Sequence, residues 1–482
     1  MRVLLVNASF RVKRNIIGDS AMIQPMGVAC LAAYLRMAGN TVEIYEPTVY
    51  GGTFMEHYER IRGYDCDVIG FSQCAAEYKN ESLGIIKLVR RGGFRGVIVL
   101  GGHSPSLSYE EYLNECKEID CISIGEGEKT LDELMHCLEN GEDWHRIDGI
   151  AYYDMDSECI VRTNPRELIE DIDALPFPAR DVLAWRVKYV GKKAVATILS
   201  SRGCYQNCSF CSVATYYNLQ CGKRFRYRSV GNIVDEIREI YERYGITDYS
   251  FIDDNFILPG NAGIRRCKEF CSLVSELPFK IQFEVNTRID TIEKEAIRYL
   301  KDSGLTNISI GIESFLKSDL EVYNKRITLE QIENALRALM ELGFSTEVGS
   351  TLRIRTFMIV FNPFSTIEGL RLHLSYLKKY RVSPKKMVTI LTVYDHTDIK
   401  RRLVQDGLLT GGNNWVFRDR RVKYVYDYFA AYVKKIMTVR ERIRNMQKHM
   451  KQNGIETGNF DLDCARRMLD ESCYVAFESL LV

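Results

Sequence analysis

Three cysteines lie within eight positions of the stretch SSRGCYQNCSFC, directly after an apolar run: Cys204, Cys208 and Cys211. A structural zinc site needs a fourth ligand, and the best candidate is the lone Cys221, ten residues further on. A cluster of four irons accepts three protein thiolates when its fourth iron binds another molecule. The spacing thus leaves open structural thiols, a zinc site, or an iron–sulfur cluster with one open iron.

The chain has 15 cysteines in all. The opening MRVLLVNASFRVKR holds an apolar run of only about five residues, too short for a secretory signal. We therefore expect a cytoplasmic protein with reduced thiols. Most cysteines stand singly among apolar neighbours and are expected in the core; examples are Cys30, Cys74, Cys121 and Cys137.

Charge excludes some classes of partner. The chain has 65 basic and 64 acidic residues. Its net charge is therefore close to zero and gives no long-range electrostatic attraction for nucleic acid. No apolar stretch approaches the roughly 20 residues that span a bilayer. Between Trp415 and Lys451, eleven basic residues face three acidic ones. This basic segment is either the solvated face of an amphipathic helix or a contact for an anionic substrate or membrane surface.

The first 145 residues alternate short apolar strands with amphipathic helices, which predicts a doubly wound (Rossmann-like) parallel sheet. Such sheets bind ligands at the carboxyl ends of their strands. The first strand lacks a G-x-G-x-x-G turn, so a dinucleotide is disfavoured. Glycines end the later strands instead and let a bulky ligand approach the backbone. The candidates are these glycines with two residues of the same turns: Gly70, Ser72, Gly101, Gly102, Gly125, Glu126 and Gly127.

Three further regions follow. Residues 146–193 predict an interdomain connector with a hairpin (GIAYYDMDSECIVRTN) and a proline-punctuated crossing (LPFPARDVL). Residues 194–395 predict six strand–helix repeats, the last strand being KMVTILTVY, which suits a partial (β/α)6 barrel. The cysteine motif follows its first strand and so lies at the barrel mouth. Residues 396–482 predict a helical C-terminal domain.

At Cys204-x3-Cys208-x2-Cys211, with Phe210 before the last cysteine, the sequence resembles the radical S-adenosylmethionine (SAM) superfamily. The resemblance implies that the three cysteines hold a [4Fe-4S] cluster whose open iron binds SAM. Phe210 is then expected to shield the cluster and pack on SAM. One electron cleaves SAM to a 5′-deoxyadenosyl radical that takes a hydrogen atom from the substrate.

The same resemblance implies SAM-binding residues at the ends of later barrel strands. Glu313, in SIGIES, matches the position that bonds the SAM ribose. Asp253 and Asp254, in FIDDNF, match the position that contacts the methionine amino group, although the usual Gly-Gly-Glu is missing and either carboxylate could act. Arg288 could pair with the methionine carboxylate. The segment FNPFST departs from the glycine-rich turn of relatives and is assigned no role.

Upstream, the ordered motifs QPMGVACLAAYLRMAG, IGFS, GGHS, GEGE and LPFPARDVL resemble the cobalamin (B12)-binding class of radical SAM enzymes. Together the similarity covers roughly residues 1–395. The chain has no D-x-H-x-x-G motif, and His103 of GGHS stands in the wrong context for it. We therefore expect cobalamin bound without a protein histidine on cobalt.

The resemblance implies a methyltransferase. One SAM methylates reduced cobalamin, a second SAM generates the radical, and the substrate radical at an unactivated carbon then collects the methyl group. Two alternatives remain: a non-methylating enzyme that forms, contracts or rearranges a ring, or one that methylates phosphorus or an sp2 carbon. A regulatory module without catalysis would be excluded by bound iron and by loss of SAM cleavage in Cys208→Ala.

The expected partners are a small-molecule substrate and an electron donor such as flavodoxin or ferredoxin; the sequence does not give the oligomeric state. A second cluster is not expected, because the remaining pairs, Cys267 with Cys271 and Cys464 with Cys473, do not resemble the dense motifs of auxiliary clusters.

Overall fold

The computed structural model describes residues 1–10, 24–347, 350–453 and 462–482. Its strands in the N-terminal part are β1 (Arg2–Asn7), β2 (Thr41–Tyr45), β3 (Val68–Ser72), β4 (Val97–Gly101), β5 (Cys121–Ser123), β6 (Ile150–Asp154) and β7 (Cys159–Arg162). The later strands are β8 (Val195–Ile198), β9 (Ser201–Arg202), β10 (Arg226–Tyr227), β11 (Asp248–Phe251), β12 (Gln282–Arg288), β13 (Leu305–Glu313), β14 (Arg353–Met358), β15 (Leu409–Gly411) and β16 (Asn414–Trp415).

Helices alternate with these strands. The N-terminal ones are α1 (Met26–Met37), α2 (Pro47–Tyr50), α3 (Phe54–Arg62), α4 (Lys79–Arg91), α5 (His103–Leu107), α6 (Tyr109–Glu115), α7 (Glu128–Asn140) and α8 (Asp181–Val190). Those that follow are α9 (Ser212–Tyr217), α10 (Val230–Tyr244), α11 (Gly260–Ser275), α12 (Lys294–Asp302), α13 (Lys317–Val322), α14 (Leu329–Glu341), α15 (Ile367–Lys379), α16 (Pro384–Met387), α17 (Asp398–Gln405), α18 (Arg420–Gln452) and α19 (Leu462–Leu480).

Local sequence explains where several helices begin and end. The Ser229 side chain accepts a hydrogen bond from the Asn232 amide at the start of α10, and Gly245 ends this helix in the left-handed conformation. A reciprocal capping box of Thr328 and Gln331 opens α14. These caps fix the residues at which α10 and α14 begin.

The chain divides into two compact units. The first comprises residues 1–206, 212–256 and 266–285, and the second comprises residues 207–211, 257–265 and 286–482. Strand β12 thus begins in the first unit and ends in the second. The cysteine motif is divided in the same way: Cys204 belongs to the first unit, and Cys208 and Cys211 belong to the second.

The N-terminal sheet has the order β2-β1-β3-β4-β5-β6-β7. Strands β1 to β5 pair in parallel, as predicted. Apolar side chains on its two faces form two separate cores against the flanking helices. The chain reverses its direction of winding between β1 and β3, which places a ligand crevice at the carboxyl ends of these strands.

The hairpin predicted in the connector is β6–β7, and it extends the N-terminal sheet. Strand β6 pairs antiparallel with β5, and β7 pairs antiparallel with β6. The hairpin covers the edge of β5, which would otherwise expose unpaired backbone groups.

The later region holds parallel strands joined by helices. In the first unit β11 pairs with β8 and with β12, and in the second unit β13 pairs with β14. The prediction of a full strand in KMVTILTVY is wrong: residues 384–387 form α16, and Ile390 makes only a single bridge with Phe361. Pro384 starts this helical turn, which takes up Lys386 and Met387 of the segment.

The C-terminal part is mostly helical, as predicted, with a short antiparallel pair, β15 and β16, before α18. Cys121 and Cys137 are buried as expected, but Cys74 is exposed, so its placement in the core was wrong. In the described part of the chain, no helix is long and apolar enough to cross a membrane.

A buried histidine gives a first testable prediction. His373 of α15 is fully buried, and neither ring nitrogen has a hydrogen-bond partner among the described residues. Burial lowers its pKa to about 3, so below about pH 6.5 only the unfolded chain takes up the proton. This part of the stability is present above pH 6.5 and is lost as the pH falls.

Lowering the pH from about 7.5 to about 5 should thus cost about 2 kcal/mol through His373. The variant His373→Leu should lose less stability than the wild type over this interval, measured by urea unfolding. His136→Leu, at an exposed position, serves as the control. Equal pH dependence in all three proteins would contradict the assignment.

Candidate active site

A cavity in the first unit lies at the carboxyl ends of the N-terminal strands and has a volume of about 210 Å³. The predicted residues that line it are Gly70, Ser72, Gly101, Gly102, Gly125, Glu126 and Gly127. Residues of the later region line the same cavity, among them Ser201, Arg202 and Asp254. One cavity therefore joins the glycine-rich strand ends to the residues that immediately precede Cys204.

The glycines of this cavity have different reasons to be glycine. Gly102 and Gly125 have positive φ, and a Cβ there would lie 2.6 Å from the Gln73 carbonyl oxygen and 2.1 Å from Gln220 Oε1, respectively. Their identity is therefore explained by the backbone and its packing. At Gly101 the nearest atoms to a Cβ are 3.6 Å away. Protein packing therefore does not require glycine at position 101, and contact with a ligand is the explanation that remains.

Sequence reasoning missed Gly27, which also lines the cavity. It lies in α1, within the quoted motif QPMGVACLAAYLRMAG, and an added Cβ would meet only Ser72 Oγ at 3.7 Å. Gly27 is the second residue of α1, where no packing contact requires glycine, so the sequence carries no signal that could have identified it.

Glu126 lines the cavity, but its carboxylate is engaged with the protein. It forms a bidentate ion pair with Arg226, at 2.8 Å for both bonds, and lies 3.2 Å from Arg202. Arg202 also pairs with Glu128 at 2.6 Å. The charges of these four residues compensate one another, so the Glu126 carboxylate belongs to an ion-pair network in the cavity wall.

His103 begins α5 and stacks on Tyr216, with ring centroids 4.7 Å apart. Burial lowers its pKa to about 4, which keeps the ring neutral. Tyr216 lines the cavity, whereas His103 is not among the lining residues. The expectation of no histidine on cobalt stays a prediction.

The two aspartates after β11 differ in their surroundings. Asp253 is buried, and its Oδ1 accepts hydrogen bonds from the Ser200 amide and hydroxyl, both at 2.9 Å, and from the Ser201 hydroxyl at 2.5 Å. Asp254 lines the cavity. Burial and the neighbouring Asp253 raise the pKa of Asp254 to about 6, although the Gly203 amide donates a hydrogen bond to its carboxylate. Of the pair, Asp254 is the carboxylate that a ligand can reach.

In the second unit, residues 207–211 are held by the end of α13. The Ser209 amide donates to the Tyr323 carbonyl at 2.8 Å, and the Asn324 side-chain amide donates to the Asn207 carbonyl at 2.8 Å. Phe210 packs edge-on against Tyr323, with centroids 5.3 Å apart. Phe210 is thus an anchor of the cysteine loop in this structure.

Arg288, at the end of β12, faces the same loop. Its Nη1 donates to Cys208 Sγ at 3.4 Å, and its Nε and Nη2 form a bidentate pair with Asp290 at 2.8 and 3.0 Å. The structure therefore brings Arg288 to Cys208, one of the predicted cluster ligands, while most of the donors of Arg288 are already used by the protein.

Glu313 ends β13 in a left-handed conformation, with φ of 65°, which is strained for a residue that has a Cβ. Its Oε1 accepts a hydrogen bond from Lys325 Nζ at 2.9 Å. Both residues are buried. Sequence reasoning missed Lys325, because nothing in the sequence pairs it with a carboxylate twelve positions earlier.

The donor sets fit the implied cofactors. Cys204, Cys208 and Cys211 form no disulfide and are of intermediate exposure, accessible to a cluster. Within the described ranges, no three His, Cys, Asp or Glu side chains converge on a point that would hold a single metal ion. A cluster of four irons needs no such convergence, since each thiolate binds a different iron. Gly27 and Gly101 of the cavity are glycines that protein packing does not require, and they leave the backbone open to a ligand such as cobalamin.

Comparison with known proteins gives two family models in chain order. Residues 20–135 match the B12 binding domain, and residues 198–371 match the radical SAM superfamily. An uncharacterized methyltransferase of Pyrococcus horikoshii is 27% identical over 411 residues, which cover 85% of this chain and 84% of that protein. An anaerobic magnesium-protoporphyrin IX monomethyl ester cyclase of Rubrivivax gelatinosus is 29% identical over 358 residues, 72% of this chain and 61% of the cyclase.

A solved structure shares the fold. The cobalamin-dependent S-adenosylmethionine radical enzyme OxsB, with aqua-cobalamin and SAM bound, aligns with 99% of this chain and 72% of its own, with a TM-score of 0.78 and 20% identity. At this identity the likeness establishes the fold alone. Together with the two family models, it confirms the predicted α/β fold class, with a B12-binding domain, then a radical SAM domain, then a helical C-terminal part.

Proposed function

The chain belongs to the radical SAM enzymes that carry a B12-binding domain, and from this premise we propose that it methylates an unactivated carbon of a small molecule. Its cofactors are cobalamin, SAM and a [4Fe-4S] cluster. When bound, the cluster and SAM supply a hydrogen-abstracting radical, and cobalamin supplies the methyl group.

One observation carries the proposal. The glycine-lined cavity at the strand ends of the B12-binding domain is also lined by Ser201, Arg202 and Asp254 of the radical SAM domain. Ser201 and Arg202 stand immediately before the cysteine motif in the chain. A methyl donor in this cavity would lie beside the residues that lead into the cluster loop.

Each group of residues has a proposed task. Gly27, Gly70, Gly101, Gly102, Gly125 and Gly127, with Ser72 and the Glu126 backbone, surround cobalamin, and Cys204, Cys208 and Cys211 bind iron. Arg288 donates to the Cys208 thiolate. Glu313 accepts hydrogen bonds from the SAM ribose, and Asp254 accepts from the methionine amino group. We propose the functional division at 1–145, 146–193, 194–395 and 396–482.

A pair of substitutions separates the two aspartates. Asp254→Asn should raise the KM for SAM about tenfold, the worth of one charge-assisted hydrogen bond, with little change in the melting temperature. Asp253→Ala should lower the melting temperature, because it removes the acceptor of three hydrogen bonds. Because the carboxylate must be ionised to accept, the wild-type KM should rise as the pH falls below about 6.

In Asp254→Asn this rise of KM at low pH should disappear. An unchanged KM in Asp254→Asn, with a raised KM in a folded Asp253→Ala, would assign the role to Asp253 instead.

A second function is ring formation without methyl transfer, which the 29% identity to a cyclase favours. Mass spectrometry of small-molecule extracts treated with the reconstituted enzyme and trideuteromethyl-SAM distinguishes the two. A compound that gains an intact labelled methyl group on carbon supports methylation. A compound that loses two hydrogens and gains no label supports the cyclase reaction, and label on phosphorus or an sp2 carbon corrects the acceptor.

We also propose a cytoplasmic setting and a one-electron donor of the flavodoxin or ferredoxin type. None of the 15 cysteines forms a disulfide in this structure, which suits a reducing compartment. The basic segment after Trp415 is compatible with a solvated helix face, since Lys434, Lys435 and Arg442 of α18 are exposed.

A further inference from the structure

Lys325 is a buried cation that the function above does not use. Its residue exposure is 3%, and its Nζ bonds to Glu313 Oε1 at 2.9 Å. A buried ammonium is costly unless it is paired, and the carboxylate it pairs with is the one assigned to the SAM ribose. The Lys325–Glu313 pair therefore lies at the nucleoside end of the SAM site.

The Lys325–Glu313 ion pair lies directly against Gly311 of β13. A Cβ at this position would come 2.7 Å from Glu313 Oε1 and 3.0 Å from Lys325 Nζ. Glycine here lets the two charged groups lie against the strand backbone. The strained backbone of Glu313 is also held by the Ile359 amide, which donates to the Glu313 carbonyl at 2.7 Å.

The backbone of the same lysine faces the cluster loop. The Lys325 carbonyl accepts a hydrogen bond from Arg288 Nη2 at 3.0 Å, and Arg288 Nη1 donates to Cys208 Sγ at 3.4 Å. The preceding residues Tyr323 and Asn324 hold residues 207–209 directly. Asn324 and Arg326, on either side of Lys325, both have positive φ, 47° and 56°, so the segment adopts a specific, strained shape.

We propose that Lys325 is a positioning residue: its ammonium orients Glu313 toward the SAM ribose, and its carbonyl orients Arg288 toward the cluster cysteine Cys208. One short segment thereby sets the nucleoside site and the cluster loop together. This inference rests on the proposed function, since it takes Glu313 as the ribose ligand.

The test measures the dissociation constant of SAM by equilibrium dialysis on the cluster-reconstituted enzyme, with iron content and the EPR spectrum of the reduced cluster. Lys325→Met should weaken SAM binding at least about tenfold and reduce the spectral change that SAM causes. Lys325→Arg, which keeps the charge, should recover part of the affinity. Gly311→Ala keeps both charges but displaces them, and it should weaken SAM binding with iron retained.

The matched control is Lys317→Met, because Lys317 has a side-chain exposure of 90% and pairs only loosely with Glu321 at 3.8 Å. Its SAM affinity should equal that of the wild type. Because loss of one partner of a buried ion pair can unfold a protein, Gly311→Ala decides the question if Lys325→Met does not fold.

The variant Glu313→Gln distinguishes a failure of the positioning role of Lys325 from a failure of the ribose assignment of Glu313. If Glu313→Gln weakens SAM binding while Gly311→Ala and a folded Lys325→Met bind SAM as the wild type does, the positioning role is overturned and Glu313 keeps its assignment. If Glu313→Gln itself binds SAM normally, the ribose assignment fails, and the inference fails with it.

Discussion

Replacing Cys208 with alanine is expected to reduce the iron content from about four atoms per chain to near zero. SAM cleavage should fall by roughly three orders of magnitude or more, because the cofactors carry the chemistry. The wild-type cluster has only three protein ligands, and the two cysteines that remain in Cys208→Ala cannot hold it. Iron and sulfide analysis of anaerobically reconstituted protein, with deoxyadenosine measured by mass spectrometry, checks both results.

Cys221→Ala is the matched control, because this thiol is exposed and its backbone pairs with residues 166–168 of the connector. It should keep its iron and its SAM cleavage. If Cys208→Ala retains about four irons while Cys221→Ala loses them, the ligand set is wrong. About eight irons in the wild type would reveal the second cluster that the sequence does not predict.

Placing leucine at Gly101 should weaken cobalamin binding by roughly ten- to a hundredfold. The side chain would enter the cavity, and overpacking a filled site costs about 1–3 kcal/mol. The folded protein itself should tolerate the change, since the nearest atoms to a Cβ there are 3.6 Å away and belong to Ser123. Cobalamin retained after gel filtration, measured by absorbance, reports the affinity.

Gly231→Leu provides the same substitution in α10, where a Cβ would meet nothing within 4 Å. This variant should bind cobalamin normally and melt close to the wild-type temperature, because Gly231 lies in the first turn of α10 and an added Cβ meets nothing there. Equal cobalamin affinity in both variants would show that the cavity is not the cobalamin site.

Most of the architecture could be predicted from the sequence because its signals are local. The apolar runs of β1 to β5 and the amphipathic pattern of α7 each identify an element without its neighbours. The KMVTILTVY segment has a strand-like composition, yet it is largely irregular, because β propensity depends on pairing with a neighbouring strand. The pairing of β6 with β5 likewise depends on which edge the fold leaves open.

The site residues also divide into those with a local sequence signal and those that only the fold brings to the site. The cysteines are recognisable because their spacing lies within one loop, and the strand-end glycines because they recur at equivalent positions. The sequence does not distinguish Asp253 from Asp254, whereas the structure shows that Ser200 and Ser201 donate to Oδ1 of buried Asp253 and that Asp254 lines the cavity. Lys325 and Gly27 contact the site through the fold, and neither carries a sequence motif of its own.

The central claim is that the methyl group passes through cobalamin in the cavity that both domains line. The most direct test requires no substrate: the anaerobically reconstituted enzyme, with cobalamin and a reductant, is given methyl-labelled SAM, and mass spectrometry follows the label. The account predicts labelled methylcobalamin in the wild type, and little of it in Gly101→Leu at limiting cobalamin. Deoxyadenosine formed at the normal rate with no label on cobalamin would contradict it and would favour a cyclase or rearrangement reaction.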